Sequence, residues 1–179
     1  HVVNNPYPKA RKTGSPVINA FNLGLCAIGN MEYDFIVKLD CDLSFEPDYF
    51  EQILGRMMAD GRFGIASGVY FEALNGGRLK EVRMPGYHAA GACKVVRRKC
   101  FEQIGGFIPA AGWDTVDEIR AMSKGWKTGH FKDLKMKHLK PEGSGIGSLR
   151  TCLMQGEVYY RTGGSFVFFL FKLVKRLAI

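Results

Sequence analysis

The stretch that decides the fold reads Phe35-Ile36-Val37-Lys38-Leu39-Asp40-Cys41-Asp42. Its apolar part, residues 35–39, predicts a strand buried on both faces, as in a parallel sheet covered by helices. Ligand sites in open α/β sheets lie just beyond the carboxyl ends of strands. Asp40 and Asp42 therefore predict a site for Mg²⁺ or Mn²⁺, because these cations prefer carboxylate oxygens and bridge them to a diphosphate. A solvated acidic turn is the simpler alternative.

Composition narrows the class of protein. The 179 residues suffice for a domain with a real core, and the net charge of +8 indicates an anionic partner. The basic residues are scattered and no aromatic-basic pattern accompanies them, which excludes nucleic acid and leaves a nucleotide diphosphate or anionic lipid. The five cysteines are widely spaced without a Cys-x-x-Cys pair, so we expect neither a zinc site nor disulfides, and a reducing cytoplasmic location.

Hydrophobic periodicity predicts a mixed α/β order of elements. Strands are predicted over 35–39, 65–71 and 92–96, one or two strands over 127–138, and helices over 17–28, 47–60, 98–104 and 114–124. Residues 75–77, Asn-Gly-Gly, predict a turn between two antiparallel strands. The order predicts a mixed, mostly parallel central sheet with helices on both faces, Rossmann-like, in a domain of residues 1–145.

A helical segment is predicted from residue 146 to residue 179. Apolar residues recur at helical spacing over 166–177, and Lys172, Lys175 and Arg176 fall on the opposite side. The run is too short to cross a bilayer, which needs about 20 apolar residues. Two alternatives stay open: the helix lies in an anionic membrane interface, or it docks on protein.

Three later segments contain candidate site residues. Gly91 precedes a predicted strand, and its lack of a side chain lets a ligand approach the backbone closely. Asp114 stands in the acidic first turn of a predicted helix, for which capping and dipole compensation are the simpler explanation. His138 ends a predicted strand, where an imidazole suits a third metal ligand beside the two aspartates.

The order of these segments resembles the family 2 glycosyltransferases, which have the A-type nucleotide-diphospho-sugar fold. The matching segments are the helix with Ala20-Phe21-Asn22-Leu23-Gly24, the strand with its Asp-x-Asp, Gly91 to Arg98, Ile104-Gly105-Gly106-Phe107, Asp114 with Arg120 and Gly125, and His138. Trp113 replaces the Glu of the family's usual Glu-Asp pair. The family's N-terminal nucleotide-binding strand has no counterpart here, so we expect a partial catalytic domain.

The resemblance implies an inverting transfer of a sugar from a nucleoside-diphosphate sugar to a hydroxyl of a glycan or lipid-linked acceptor. It implies a cation held by Asp42 with Asp40 and His138, and Asp114 as general base. Donor contacts are assigned to Asp40, Gly91 and Lys140. Asp40 alternatively contacts the ribose. The implied location is cytoplasmic, with peripheral contact at the inner face of the cell membrane.

Two other functions are compatible with the sequence. A haloacid-dehalogenase-like phosphatase also has Asp-x-Asp after a buried strand, with Asp40 as nucleophile, and Ser44 is tolerable in that pattern. That reading lacks a downstream Asp-Asp pair. A degenerate, non-catalytic binding domain is the other alternative, which Trp113 favours and the retained aspartates oppose.

Overall fold

The computed structural model describes residues 15–73, 78–140, 148–161 and 163–177. The chain divides into two compact units, His1–Pro141 and Glu142–Ile179. In the first unit the elements are α1 (Ser15–Ile28), β1 (Phe35–Leu39), β2 (Leu43–Phe45), α2 (Tyr49–Ala59), β3 (Phe63–Ala73), β4 (Leu79–Glu81), β5 (Cys93–Arg97), α3 (Arg98–Gln103), α4 (Trp113–Ser123) and β6 (Lys127–His138). The predicted turn at 75–77 lies outside the described residues.

The six strands form one mixed sheet in the order β1-β5-β3-β6-β2, with β4 paired to β3. The mixed α/β class is confirmed, but the mostly parallel order was wrong for the described strands. Only β3 and β6 pair in parallel, and the other four pairings are antiparallel. The reason is that β5, which runs opposite to both its neighbours, lies between β1 and β3 and separates strands of the same direction.

Strand β1 has the predicted bounds, but it is not buried on both faces. Its side chains at 35–37 are half-buried, and Leu39 is exposed. Among the described strands β1 pairs only with β5, at one end of the sheet order. Within the described part of the chain the apolar run is therefore a strand at the edge of the sheet, and its carboxyl end, where the partly exposed Asp40 and Asp42 follow, is accessible.

Helices cover both faces of the sheet, as predicted. Adjacent strand residues point to opposite faces. Ile65 and Val96 pack in one core with helices α1, α3 and α4. Ala66 and Val95 pack in a second core with helix α2. The two cores together fix the sheet and thereby the loops at its edges.

The second unit contains two described helices, α5 (Ser148–Arg161) and α6 (Phe166–Leu177). Within it, the rings of Tyr159 and Phe169 are 6.1 Å apart. Helix α6 exposes large apolar side chains at 166–168, 170, 171, 173 and 174. Among the described residues, no helix combines the length and the apolar character needed to cross a membrane.

Candidate active site

Asp42 and His138 lie side by side at one edge of the sheet. Asp42 stands in the short loop between β1 and β2, and His138 is the last residue of β6. Strand β2 pairs with β6 so that Leu43 lies opposite His138, and the Leu139 amide donates to the Asp42 carbonyl at 2.8 Å. His138 Nε2 lies 3.4 Å from Asp42 Oδ1. Backbone pairing therefore holds an imidazole beside a carboxylate.

The imidazole of His138 is incompletely satisfied. Its Nδ1 is buried and has no hydrogen-bond partner among the described residues. The ring of Tyr70 packs edge-on against it, 6.0 Å away between centroids. A buried polar atom without a partner costs free energy, so its retention calls for an explanation. A cation shared with Asp42 would bind Nε2, the nitrogen that faces this carboxylate, so metal binding does not account for the unpartnered Nδ1.

The donor set fits a divalent cation whose other ligands come from a substrate. Mg²⁺ is usually held by one or two carboxylates together with substrate phosphates rather than by a complete protein cage. Asp42 and His138 supply one oxygen and one nitrogen donor. No group of three or more potential ligands is assembled within the described parts of the chain.

Asp40 points to a different partner. Its Oδ1 lies 2.7 Å from Nζ of Lys38, and the same ammonium donates to the Gly91 carbonyl at 2.8 Å. The Asp40 amide donates to the Ala92 carbonyl at 2.8 Å. Asp40 is therefore tied to Gly91 and the start of β5 rather than to the Asp42–His138 pair. Its role as a metal ligand stays a prediction.

Asp114 faces Gly91. Asp114 is the second residue of α4 and is half-buried. A Cβ added to Gly91 would lie 3.0 Å from Asp114 Oδ2, so the missing side chain makes room for this carboxylate. No described residue donates a hydrogen bond to the carboxylate, which gives capping no support, whereas its place in the first turn of α4 agrees with dipole compensation. A carboxylate in this state is available to accept a proton.

The predicted residues thus form two groups. Asp40, Gly91 and Asp114 are linked through Gly91, while Asp42 and His138 form the other group. Only Cys41 separates the two groups along the chain. Lys140 is exposed, two residues beyond His138 and the end of β6. No contact within the described residues ties it to either group.

The sequence analysis missed a buried ionic cluster behind Asp114. Lys94 on β5 pairs with Asp117 at 2.9 Å and with Glu118 at 3.1 Å, and all three side chains are buried. Burial raises the pKa of the Asp117 carboxyl to about 6. The Trp113 ring is close to two ammonium groups, with its centroid 5.5 Å from Lys38 Nζ and 5.1 Å from Lys94 Nζ. The sequence did contain a signal for this cluster: Lys38 and Lys94 each stand inside a predicted apolar strand. A lysine in a buried strand needs buried polar or charged partners.

Comparison with known proteins rests on structure alone. No protein-family model and no curated protein matches this chain. A solved structure of the mannosyltransferase PcManGT from Pyrobaculum calidifontis, in complex with GDP-Man and Mn²⁺, is similar with a TM-score of 0.51 and 17% identity. This chain has a glycosyltransferase-like fold. The match covers 76% of this chain and 39% of the mannosyltransferase chain, and at this identity it establishes the fold only. It gives the phosphatase alternative no support.

Proposed function

We propose that this chain forms part of a glycosyltransferase catalytic domain of family 2 type. It moves a sugar, with inversion, from a nucleoside-diphosphate sugar to a hydroxyl of a glycan or lipid-linked acceptor. The observation that carries the proposal is the approach of His138 Nε2 to Asp42 Oδ1, 3.4 Å apart, in a glycosyltransferase-like fold. The mannosyltransferase of similar fold was solved with GDP-Man and Mn²⁺, which agrees with such a donor and cation.

In this proposal the donor is bound by residues of the two groups, the Asp42–His138 pair and the group around Gly91, and by the segment after His138. Asp42 and His138 are the residues that would hold Mg²⁺ or Mn²⁺, which when bound neutralises charge on the departing diphosphate. Asp40 offers its second carboxylate oxygen to the donor, since Oδ1 is engaged by Lys38. The exposed ammonium of Lys140 adds positive charge for the diphosphate.

Asp114 is the residue that acts on the acceptor. The acceptor hydroxyl attacks the anomeric carbon, the bond from that carbon to the diphosphate breaks, and the hydroxyl proton passes to the Asp114 carboxylate. Single displacement needs no covalent nucleophile. The absence of hydrogen bonds to this carboxylate from the described residues supports the assignment, because no protein donor competes for its oxygens.

A thermal-shift screen tests the donor class. Nucleoside diphosphates with different bases are added to the full-length protein, each with and without Mn²⁺. A ligand that binds only the folded state, at 100 times its Kd, increases the free energy of unfolding by about 2.7 kcal/mol. The melting temperature rises as a result. We expect one base to stabilise the protein strongly and only with the metal. Absence of any metal-dependent shift across all bases would contradict the proposal.

Replacing Gly91 by Ala is expected to slow transfer. The new Cβ would lie 3.0 Å from Asp114 Oδ2 and 3.3 Å from its Cβ, so the carboxylate must move. We expect turnover to fall about 10-fold or more, because small misplacements of a reacting group are expensive. Gly86→Ala is the matched control, since a Cβ there meets nothing within 4 Å. Equal turnover by both variants would show that the Gly91–Asp114 contact is unimportant.

Contact with an anionic membrane is proposed for helix α6. Phe166, Leu170 and Val174 lie on the apolar side of the helix and are 73%, 47% and 64% exposed, and the segment 166–177 contains three basic and no acidic residues. Apolar insertion and attraction to anionic lipid add in such a helix. This contact would place the protein at the inner, cytoplasmic face of the cell membrane.

Vesicle flotation measures this membrane contact. We expect the protein to float with phosphatidylserine vesicles and much less with neutral ones. Changing Phe166, Leu170 and Val174 to Ser should abolish flotation while leaving the melting temperature of the first unit unchanged. Equal flotation of the wild type and the triple variant would favour docking on protein, the alternative for this helix.

A further inference from the structure

Lys94 fastens the start of helix α4 to the sheet. Its side chain is fully buried in β5, where an ammonium is costly unless polar groups surround it. Nζ donates to the Asp114 carbonyl at 2.7 Å, to the Asp117 carboxylate at 2.9 and 3.1 Å, and to Glu118 Oε1 at 3.1 Å. All of these acceptors belong to the first half of α4, so one ammonium sets the position of that segment.

Helix α4 begins without the usual local device. Its N-cap residue is Gly112, at φ +79, and no side-chain cap hydrogen bond is formed there. Most helices fix their first turn with a Ser, Thr, Asp or Asn oxygen at this position. The first turn here, which contains Asp114, relies on its long-range contact with Lys94 instead.

Glu118 ties a second segment to the same helix. It is fully buried, its Oε1 accepts from the Ala89 amide at 2.8 Å, and its Oε2 lies 2.9 Å from His88 Nδ1. The segment 88–91 ends at Gly91, whose open Cβ position faces Asp114 Oδ2. Both sides of the gap between Gly91 and Asp114 are therefore fixed by one buried charged cluster.

We propose that Lys94 and Glu118 are positioning residues that hold Asp114 and Gly91 in the geometry required for proton acceptance. The inference rests on the proposed function, in which Asp114 is the general base. Lys94 acts through the Asp114 backbone and Glu118 acts through residues 88–91, and neither touches the reacting atoms. Positioning of this kind matters because a displacement of about 1 Å costs about 100-fold in rate.

The first test compares two substitutions of one residue. Glu118→Ala releases residues 88–91, whereas Glu118→Gln keeps an oxygen for the Ala89 amide, and in both variants Lys94 keeps Asp117 as its partner. We expect single-turnover transfer to fall about 10-fold or more in the Ala variant and to stay within about 3-fold of wild type in the Gln variant. Donor Kd should change less than about 2-fold in the Gln variant, which keeps residues 88–91 in place; in the Ala variant, transfer is measured at saturating donor so that any loss of the donor contact at Gly91 does not enter the rate.

Lys94→Met provides a second, independent test. It removes the ammonium and keeps a linear side chain, so the Asp114 backbone loses its anchor. We expect a slower transfer step with an unchanged donor Kd, together with faster amide hydrogen exchange over residues 113–118. If this variant fails to fold, the two Glu118 variants decide the question by themselves.

Met57→Ala controls for loss of stability. Met57 is fully buried in the core on the α2 face, and its truncation costs about 2–5 kcal/mol without touching α4. This variant should lower the melting temperature while keeping the transfer rate per folded molecule and the exchange of residues 113–118. The inference would be overturned if Met57→Ala lost transfer in proportion to its loss of stability and to the same extent as Glu118→Ala.

The outcomes separate this inference from the proposed function. If the wild type transfers sugar and both Glu118→Ala and Lys94→Met keep its rate, the positioning role is wrong, whatever hydrogen exchange shows. If the wild type transfers no sugar from any donor, the proposed function fails, and the positioning role in catalysis fails with it. Hydrogen exchange then still reports whether Lys94 anchors the first turn of α4.

Discussion

Asp114→Asn is expected to reduce single-turnover transfer by about 100-fold or more while leaving donor affinity nearly unchanged. Asn keeps the shape of the side chain but cannot accept the hydroxyl proton, and a positioned base is worth about 10²–10⁴-fold. The melting temperature should change little, because no described residue hydrogen-bonds the carboxylate. Rapid-quench measurement of product, with donor titration in parallel, gives both quantities.

Asp117→Asn is a poor control for this variant because Asp117 pairs with Lys94. A better control is Asp48→Asn, since Asp48 is exposed at the start of α2 and its carboxylate accepts a hydrogen bond from Gln52, away from both residue groups. Transfer by Asp48→Asn should equal that of the wild type. A folded Asp114→Asn protein that transfers sugar at the normal rate would remove Asp114 from the mechanism.

Asp42→Ala is expected to abolish the metal-dependent part of nucleotide binding. The substitution removes the carboxylate whose Oδ1 lies 3.4 Å from His138 Nε2. Changes in the shell around metal ligands already cost about 10- to 100-fold in affinity, so loss of a ligand should cost at least as much. Calorimetric titration of the nucleoside diphosphate, with Mn²⁺ and with EDTA, measures the effect.

Glu51→Ala is the matched control, because it also removes one carboxylate but from the exposed face of α2. It should bind nucleotide and metal like the wild type. If Asp42→Ala and wild type bind the nucleotide equally, with and without Mn²⁺, the Asp42–His138 pair is not the metal site.

Local elements were predictable because their signals are local. The helix over 17–28 and the strand over 35–39 match α1 and β1, since apolar spacing and a following glycine or carboxylate mark their ends. Strand β2 was missed because its three residues carry no alternation long enough to recognise. The direction of β5 was not predictable, since it depends on pairing partners far apart in the sequence.

The residues of the candidate site were predictable from the sequence, but their division into two groups was not. Asp42 and His138 stand 96 positions apart, and only the pairing of β2 with β6 brings them together. Asp40 was expected beside them, yet the ammonium of Lys38 holds it toward Gly91. The grouping depends on the buried lysines Lys38 and Lys94. Each needs carboxylate or carbonyl partners, and the local sequence does not identify them.

The most direct test of the central claim is release of nucleoside diphosphate from a nucleotide sugar by the wild-type full-length protein. The donor is the one whose base gives the largest metal-dependent thermal shift, and release is followed with Mn²⁺ and with EDTA, in the presence of candidate hydroxyl acceptors. We expect release that requires the metal, rises with acceptor and yields a product of inverted anomeric configuration. Tight nucleotide binding with no release under any of these conditions would contradict it and identify the domain as a non-catalytic binding module.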